Sequence, residues 1–275
     1  MMEKIYELNS KISTLNNEIK KNLVKLSTFL NITKYYFILL IILCCSCQQK
    51  KAGILFTFDD CYIDEWYAQR PLFQKYNIHA TFFITRPYLL DSSQINKLKI
   101  LASDGHEIAC HGYQHLNAIN YQSEEYLNQV IIPAFQKMSE IGFEVTSFAY
   151  PFGRSTVELD SILLDYFKTI RKATYNIQDT TIDQYPEIYA HSNSYRIVDA
   201  MGIDYNYAIS PENFETGIKR AIKNREMLIV YAHLIDISNE DYTIHPEYLE
   251  KLFLICQKYH IKSMTMSEMY ECFQR

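Results

Sequence analysis

Two adjacent carboxylates, Asp59 and Asp60, follow directly on the apolar run Ile54-Leu-Phe-Thr-Phe58. Neighbouring negative charges repel, and such a pair is best tolerated when a cation neutralises one of them; a solvated Asp-Asp turn is the plain alternative. Further along, His111 and His115 stand four residues apart in His-Gly-Tyr-Gln-His. In a helical turn those positions share a face, so both rings could reach one zinc-like ion, with a carboxylate completing a three-ligand site that keeps a place for water. Two exposed structural histidines would show the same spacing. His233 follows the apolar run Leu228-Ile-Val-Tyr-Ala232, and Tyr150-Pro-Phe-Gly153 follows Thr146–Ala149. Groups at four run ends would meet only if those ends face one mouth.

The elements that must position them alternate. From Gly53 onward, strand-length apolar runs at Ile54–Phe58, Thr81–Thr85, Glu107–Cys110, Thr146–Ala149, Lys172–Tyr175, Ser194–Val198, Leu228–Ala232 and Lys262–Thr265 are separated by segments of helical period. Among the latter are Asp64–Tyr76, with Trp66, Leu72, Phe73 and Tyr76 on one face, Ser123–Ile141, Asn213–Asn224 and Pro246–Tyr259. This order predicts an α/β fold, a small (β/α) barrel of seven or eight strands in a single domain, with a doubly wound open sheet as the alternative. No glycine-rich phosphate loop follows the first strand, which argues against nucleotide binding.

With these elements in view, Thr57-Phe-Asp-Asp60, Ala80-Thr-Phe-Phe83, His111-x-x-x-His115, Tyr150-Pro-Phe-Gly153 and His233 resemble, in order and spacing, the motifs of the polysaccharide deacetylases, carbohydrate esterase family four, the NodB-like homology domain. The resemblance runs from about Gly53 to Tyr270. It implies a distorted (β/α) barrel, spanning residues 53–272, that binds one divalent metal, most often zinc. The implied reaction removes acetyl groups from an amino-sugar-containing or acetylated polysaccharide of the cell envelope or exterior. Residue by residue, it makes Asp60, His111 and His115 the metal ligands, Asp59 the base and His233 the acid. Tyr150, Phe152 and Tyr113 become candidates for the oxyanion and sugar contacts. A catalytically impaired glycan-binding relative and a metal-dependent hydrolase of other amide C–N bonds are the competing readings.

The chain departs from the family pattern at named positions. Cys61 stands where the family often has Gly, Gly112 where it has Ser or Thr, and Ala149 where an arginine commonly orients the base. Arg196 is the candidate replacement for that arginine, against the alternative of an ordinary surface residue. An Asp-x-x-Asp-Trp motif is missing, and Asp199 and Asp204 read as poor substitutes. Trp66, the only tryptophan, is core by default and a sugar platform otherwise; His245 reads as a helix-entry residue. The body's four cysteines, Cys61, Cys110, Cys256 and Cys272, read as scattered thiols, with a Cys256–Cys272 bridge as an option.

Composition narrows the partners. In 275 residues, 27 Lys plus Arg face 32 Asp plus Glu, a net charge of -5, so the basic excess that nucleic-acid binding demands is missing. With 48% hydrophobic and 21% charged residues the chain is an ordinary folding sequence. The front end differs. Residues 35–47, YYFILLIILCCSC, are too short to span a bilayer and fit a signal-peptide core ending like a bacterial lipobox, with Cys47 as the lipidated residue and Cys45 as a weaker candidate. A short uncleaved anchor is the alternative. Upstream, in residues 1–34, Ile5, Leu8, Ile12, Leu15, Ile19 and Leu26 repeat at coiled-coil steps. They make either a helical arm before an anchor or residues ahead of a true start near Leu23 to Thr33, the second being preferred. A lipoprotein of the bacterial cell envelope, facing the periplasm or the exterior, is the location these features predict.

Overall fold

The computed structural model describes residues 52–175 and 180–274, together with helical positions Leu15, Glu18, Ile19, Lys20, Lys21, Leu23, Leu26 and Lys34. The chain divides into two units, Met1–Gln49 and Lys50–Arg275. The apolar run 35–47, with Cys47, lies outside the described residues, and no described helix is long and apolar enough to cross a membrane.

The second unit is built on parallel strands that close on themselves. They are β1 (Gly53–Asp60), β2 (Ala80–Ile84), β3 (Glu107–Cys110), β4 (Ser147–Ala149), β5 (Thr169–Thr174) and, after the two-residue β6 (Tyr189–Ala190), β7 (Ile197–Gly202) and β8 (Met227–Ala232). Each pairs with the next in parallel, and β8 returns to β1 from Gly53↔Met227 to Phe58↔Ala232. That closure makes a seven-stranded barrel and excludes the open doubly wound sheet. The short β6 lies antiparallel on β8. A two-stranded pair, β9 (Leu234–Ile235) and β10 (Thr243–Ile244), caps the connection after β8. The expected strand Lys262–Thr265 is β11 (Lys262–Ser263), which joins the edge of β1 outside the closed ring.

β1 shows why an apolar run becomes a barrel strand. Phe56 stacks on Phe214 and meets Phe253 edge-on, and Phe58 stacks on Phe82 and meets Phe73 edge-on, so this parity faces the helical layer. Each fully buried Phe contributes roughly 1.5–3 kcal/mol by leaving water. The other parity, Leu55, Thr57 and Asp59, points into the lumen, as the contact of Asp59 with non-neighbouring β5 requires. Trp66 is fully buried against Phe58 and Phe82, and its indole N–H donates to the His233 carbonyl at 2.8 Å, which makes it core.

Several helices differ from the sequence pattern. The expected Asp64–Tyr76 helix breaks at Gln69 into Ile63–Ala68 and Arg70–Tyr76. Ser123–Ile141 contains a π-helical stretch, Leu127–Ile131, just before Pro133, whose missing N–H removes a ladder bond. Ser92–Ser103, with the Asp91/Gln94 capping box, is a helix the periodicity did not single out. Cys256 and Cys272 are free thiols, so the optional bridge is not formed.

Candidate metal centre and the cavity around it

The end of β1 sends its two carboxylates to different surroundings. Asp59 keeps the inward parity and is 3% exposed. Asp60 lies at φ 86°, a left-handed conformation that costs a side-chain-bearing residue free energy and turns its carboxylate toward the barrel rim. Arg171, 1% exposed, reaches across the lumen from β5 and donates through Nη2 to both Asp59 carboxylate oxygens. Its guanidinium also lies over the rings of Phe83 and Tyr231, at 5.3 and 5.0 Å. Burial alone would raise the Asp59 pKa, but Arg171, His111 and His233 outweigh it and hold the carboxyl below its ordinary value.

The two histidines meet Asp60 from the end of β3. His111 Nδ1 donates to the Ala149 carbonyl at 2.8 Å, which leaves the Nε2 lone pair for the site. That Nε2 is 3.9 Å from Asp60 Oδ1, and His115 Nε2 is 3.4 Å from the same oxygen. The segment between the histidines is not the expected helical turn. It is a loop through Gly112 at φ 87°, where a Cβ would approach Val130 Cγ1 to 2.8 Å. The family's Ser or Thr would be strained there, and glycine is what this path requires.

The residues fit a divalent metal. All three donor atoms lie within 4.8 Å of one another, and two ligands at bonding distance from a tetrahedral zinc stand about 3.4 Å apart. Burial lowers the His111 pKa to about 4 and also lowers that of His115, so both rings offer neutral nitrogen. Cys61, beside Asp60, is driven toward the thiol form by burial and by the Asp60 charge.

His233, at the end of β8, completes the arrangement. Its Nδ1 is 2.7 Å from Asp204 Oδ2, and its backbone N–H donates to Asp204 Oδ1 at 3.0 Å. Burial pulls the imidazole pKa down, but the Asp204 hydrogen bond and the charges of Asp204, Asp59 and Asp60 hold it above the ordinary value. Asp59, Asp60, His111, His115, Arg171 and His233 all line one cavity of about 250 Å³, walled further by tyrosines.

The other expected site residues fare differently. Tyr150 and Phe152 line the cavity; Phe152, at φ 62°, lies 4.7 Å from the His115 ring. Tyr113 is not among the lining residues and packs on Tyr88 at 4.6 Å instead. Arg196 does not orient Asp59: its guanidinium is spent on the backbone carbonyls of Leu164, Phe167 and Lys168, at the strand-entry end of β5. The arginine at the base is Arg171, which sequence reasoning missed. Asp204, read as a poor substitute for the missing Asp-x-x-Asp-Trp motif, is the carboxylate on His233. His245 caps the Pro246–Lys258 helix through Nδ1, as a helix-entry residue does.

The model of the polysaccharide deacetylase family matches residues 47–169. A gellan lyase from Bacillus sp. is 27% identical over 128 residues, 44% of this chain but only 5% of that protein's length. The chitin deacetylase of Colletotrichum lindemuthianum has a similar structure, with a TM-score of 0.55 at 14% identity over 80% of this chain and 88% of that one. A pseudoenzyme of carbohydrate esterase family four from Bacillus anthracis scores 0.50 at 16% identity, over 80% and 66% respectively. At such identities the structural likeness speaks for the fold alone. The matched segment, the order of the motifs and the closed barrel together make this chain similar to the polysaccharide deacetylase family over residues 47–169.

Proposed function

We propose that the protein is a metal-dependent hydrolase that removes acetyl groups from an amino-sugar-containing or acetylated polysaccharide of the cell envelope or exterior. One observation carries this reading: a three-donor metal site, an Arg-paired carboxylate and an Asp-paired imidazole open onto the same cavity. A divalent ion, with zinc favoured by the two nitrogens and one oxygen, would supply Lewis-acid polarisation of the acyl oxygen and acidify a water. Asp59, kept ionised by Arg171, accepts the proton of the attacking water as the new C–O bond forms. His233, kept protonated by Asp204, gives its Nε2 proton to the leaving nitrogen as the C–N bond breaks. Opposed surroundings thus assign base and acid. Gly153 N–H is committed to the Tyr150 carbonyl, and Pro151 has none, which leaves Phe152 N–H as the turn's donor for an oxyanion.

The impaired-relative reading drew on the lost motif arginine, and Arg171 removes that support. The similar pseudoenzyme shows that this fold can exist without activity, so turnover must be measured. For location, the reading is a lipoprotein anchored through Cys47, supported by the short apolar run and the small residues before that cysteine.

The test is acetate release by the full chain, loaded with zinc or cobalt, from peptidoglycan, chitin oligomers, poly-N-acetylglucosamine and acetylated xylan. Release from at least one is expected, abolished by chelation and by His111→Ala, which also lowers bound metal. A folded protein with one equivalent of metal and no release from any substrate would overturn the enzyme reading. Expressed in bacteria, Cys47→Ser should abolish lipid labelling; an uncleaved, unlabelled wild-type N-terminus would replace the lipid with a peptide anchor.

A further inference from the structure

Two aromatic residues of the cavity occupy backbone that bulky side chains rarely adopt: Phe152 at φ 62° and Tyr242 at φ 60°. Phe152 belongs to the Pro-Phe-Gly turn and leans on His115. Tyr242 belongs to no motif. It precedes β10 on the connection after β8, and its ring stands edge-on to His233, with centroids 5.2 Å apart. Its N–H donates to Asn206 Oδ1 at 3.0 Å and its carbonyl accepts from Leu234 N–H at 3.2 Å, so the backbone is fastened at both ends. The residue is 52% exposed. Strain maintained to hold a half-exposed residue beside a proton donor gains little inside the protein, which points outward, to a ligand.

We propose that Tyr242 is a specificity-determining residue of this site, its open ring face receiving the apolar C–H face of the sugar that carries the acetyl group. Phe152 is its counterpart on the His115 side of the cavity. Aromatic faces bind such surfaces through area and dispersion without needing a charge on the ligand. The ring therefore selects for a pyranose ring behind the acyl group and against small acetyl esters. This inference rests on the deacetylase reading above.

The experiment compares wild type, Tyr242→Phe and Tyr242→Gly, each metal-loaded, on chitin oligomers and on a small aryl acetate. Glycine relieves the left-handed backbone, so Tyr242→Gly should melt no lower than wild type, which separates binding from folding. Its KM for the oligomer should rise about tenfold with kcat less affected, while aryl acetate hydrolysis stays within about twofold. Tyr242→Phe should behave as wild type on both substrates. Oligomer affinity, measured by calorimetry in the Asp59→Asn background with and without Tyr242→Gly, gives a readout independent of turnover. Equal losses on oligomer and aryl acetate, unchanged oligomer affinity, or a Phe variant as impaired as Gly would overturn the proposal. Failure of the wild type to release acetate from the aryl acetate and from every polysaccharide named above would instead overturn the deacetylase reading, with the calorimetric comparison still deciding the role of Tyr242.

Discussion

Asp59 and Asp60 are chemically identical neighbours that the barrel separates into a buried, Arg-paired carboxylate and a rim carboxylate facing two imidazoles. Removing Arg171 would leave the first of them buried and unpaired, a change that typically costs roughly 3–5 kcal/mol. Arg171→Met should therefore lower stability by about that amount in chemical denaturation, and the Asp59 pKa should rise, moving the acid limb of acetate release to higher pH. Arg196→Ala removes only carbonyl contacts far from the cavity and should leave that limb where it is. If the two variants moved the limb equally, the assignment of Arg171 would fail. The candidate metal donors were legible because each lies in a short string: Asp-Asp after an apolar run, then His-x-x-x-His. The Asp59 partner was not, because Arg171 lies 112 residues away and meets it only through the lumen of a closed sheet.

At the scale of elements, a boundary shifted by three residues hid the arginine. β5 begins at Thr169, whereas the sequence pattern placed the strand at Lys172–Tyr175 and left Arg171 in a loop. Alternation then puts Thr169 and Arg171 inside, while Lys172 turns outward to Asp160 and Asp199, at 3.7 and 4.0 Å. A charge on the inward face defeats hydrophobic periodicity, since only its partner across the barrel makes it an interior residue. β7 also runs later than expected, to Gly202, and hands the chain to Asp204, the partner of His233; a Cβ at Gly202 would strike the Tyr207 ring at 2.2 Å. Asp204→Asn tests that handover. Losing the carboxylate removes the chief influence holding the His233 pKa up. Because the acid form is required, its rate is lost as pH rises through that pKa, so the alkaline limb of acetate release should move to lower pH. A limb that stayed in place would exclude His233 as the proton donor.

Across the closed sheet, the candidate site lies at one end and a structural hydrogen-bond network at the other. The cavity lies where β1, β3, β4 and β8 finish. At the strand-entry end Glu107 is held by the Ser147 hydroxyl at 2.6 Å and the Ser267 N–H at 2.8 Å, and Thr169 bonds Ser147 at 2.9 Å. Beside this network lies His106, 6% exposed, whose Nδ1 accepts the Ala80 N–H at 3.1 Å and must stay unprotonated to do so. Burial, with the nearby His79, lowers its pKa from 6.5 to about 4. Between those values the unfolded chain binds more protons than the folded one. The stability His106 contributes is therefore complete above pH 6.5 and is lost progressively down to about pH 4, a loss of roughly 3 kcal/mol. His106→Asn offers an acceptor oxygen where Nδ1 was and cannot titrate. Denaturation in chelator should show the wild type losing stability relative to this variant over that window. Taking the difference between the two proteins cancels the histidines of the metal site and also Glu107, whose raised pKa acts with the opposite sign. Parallel curves would mean that His106 keeps its proton equally in both states and that its burial between Phe73 and Phe82 carries no acid sensitivity.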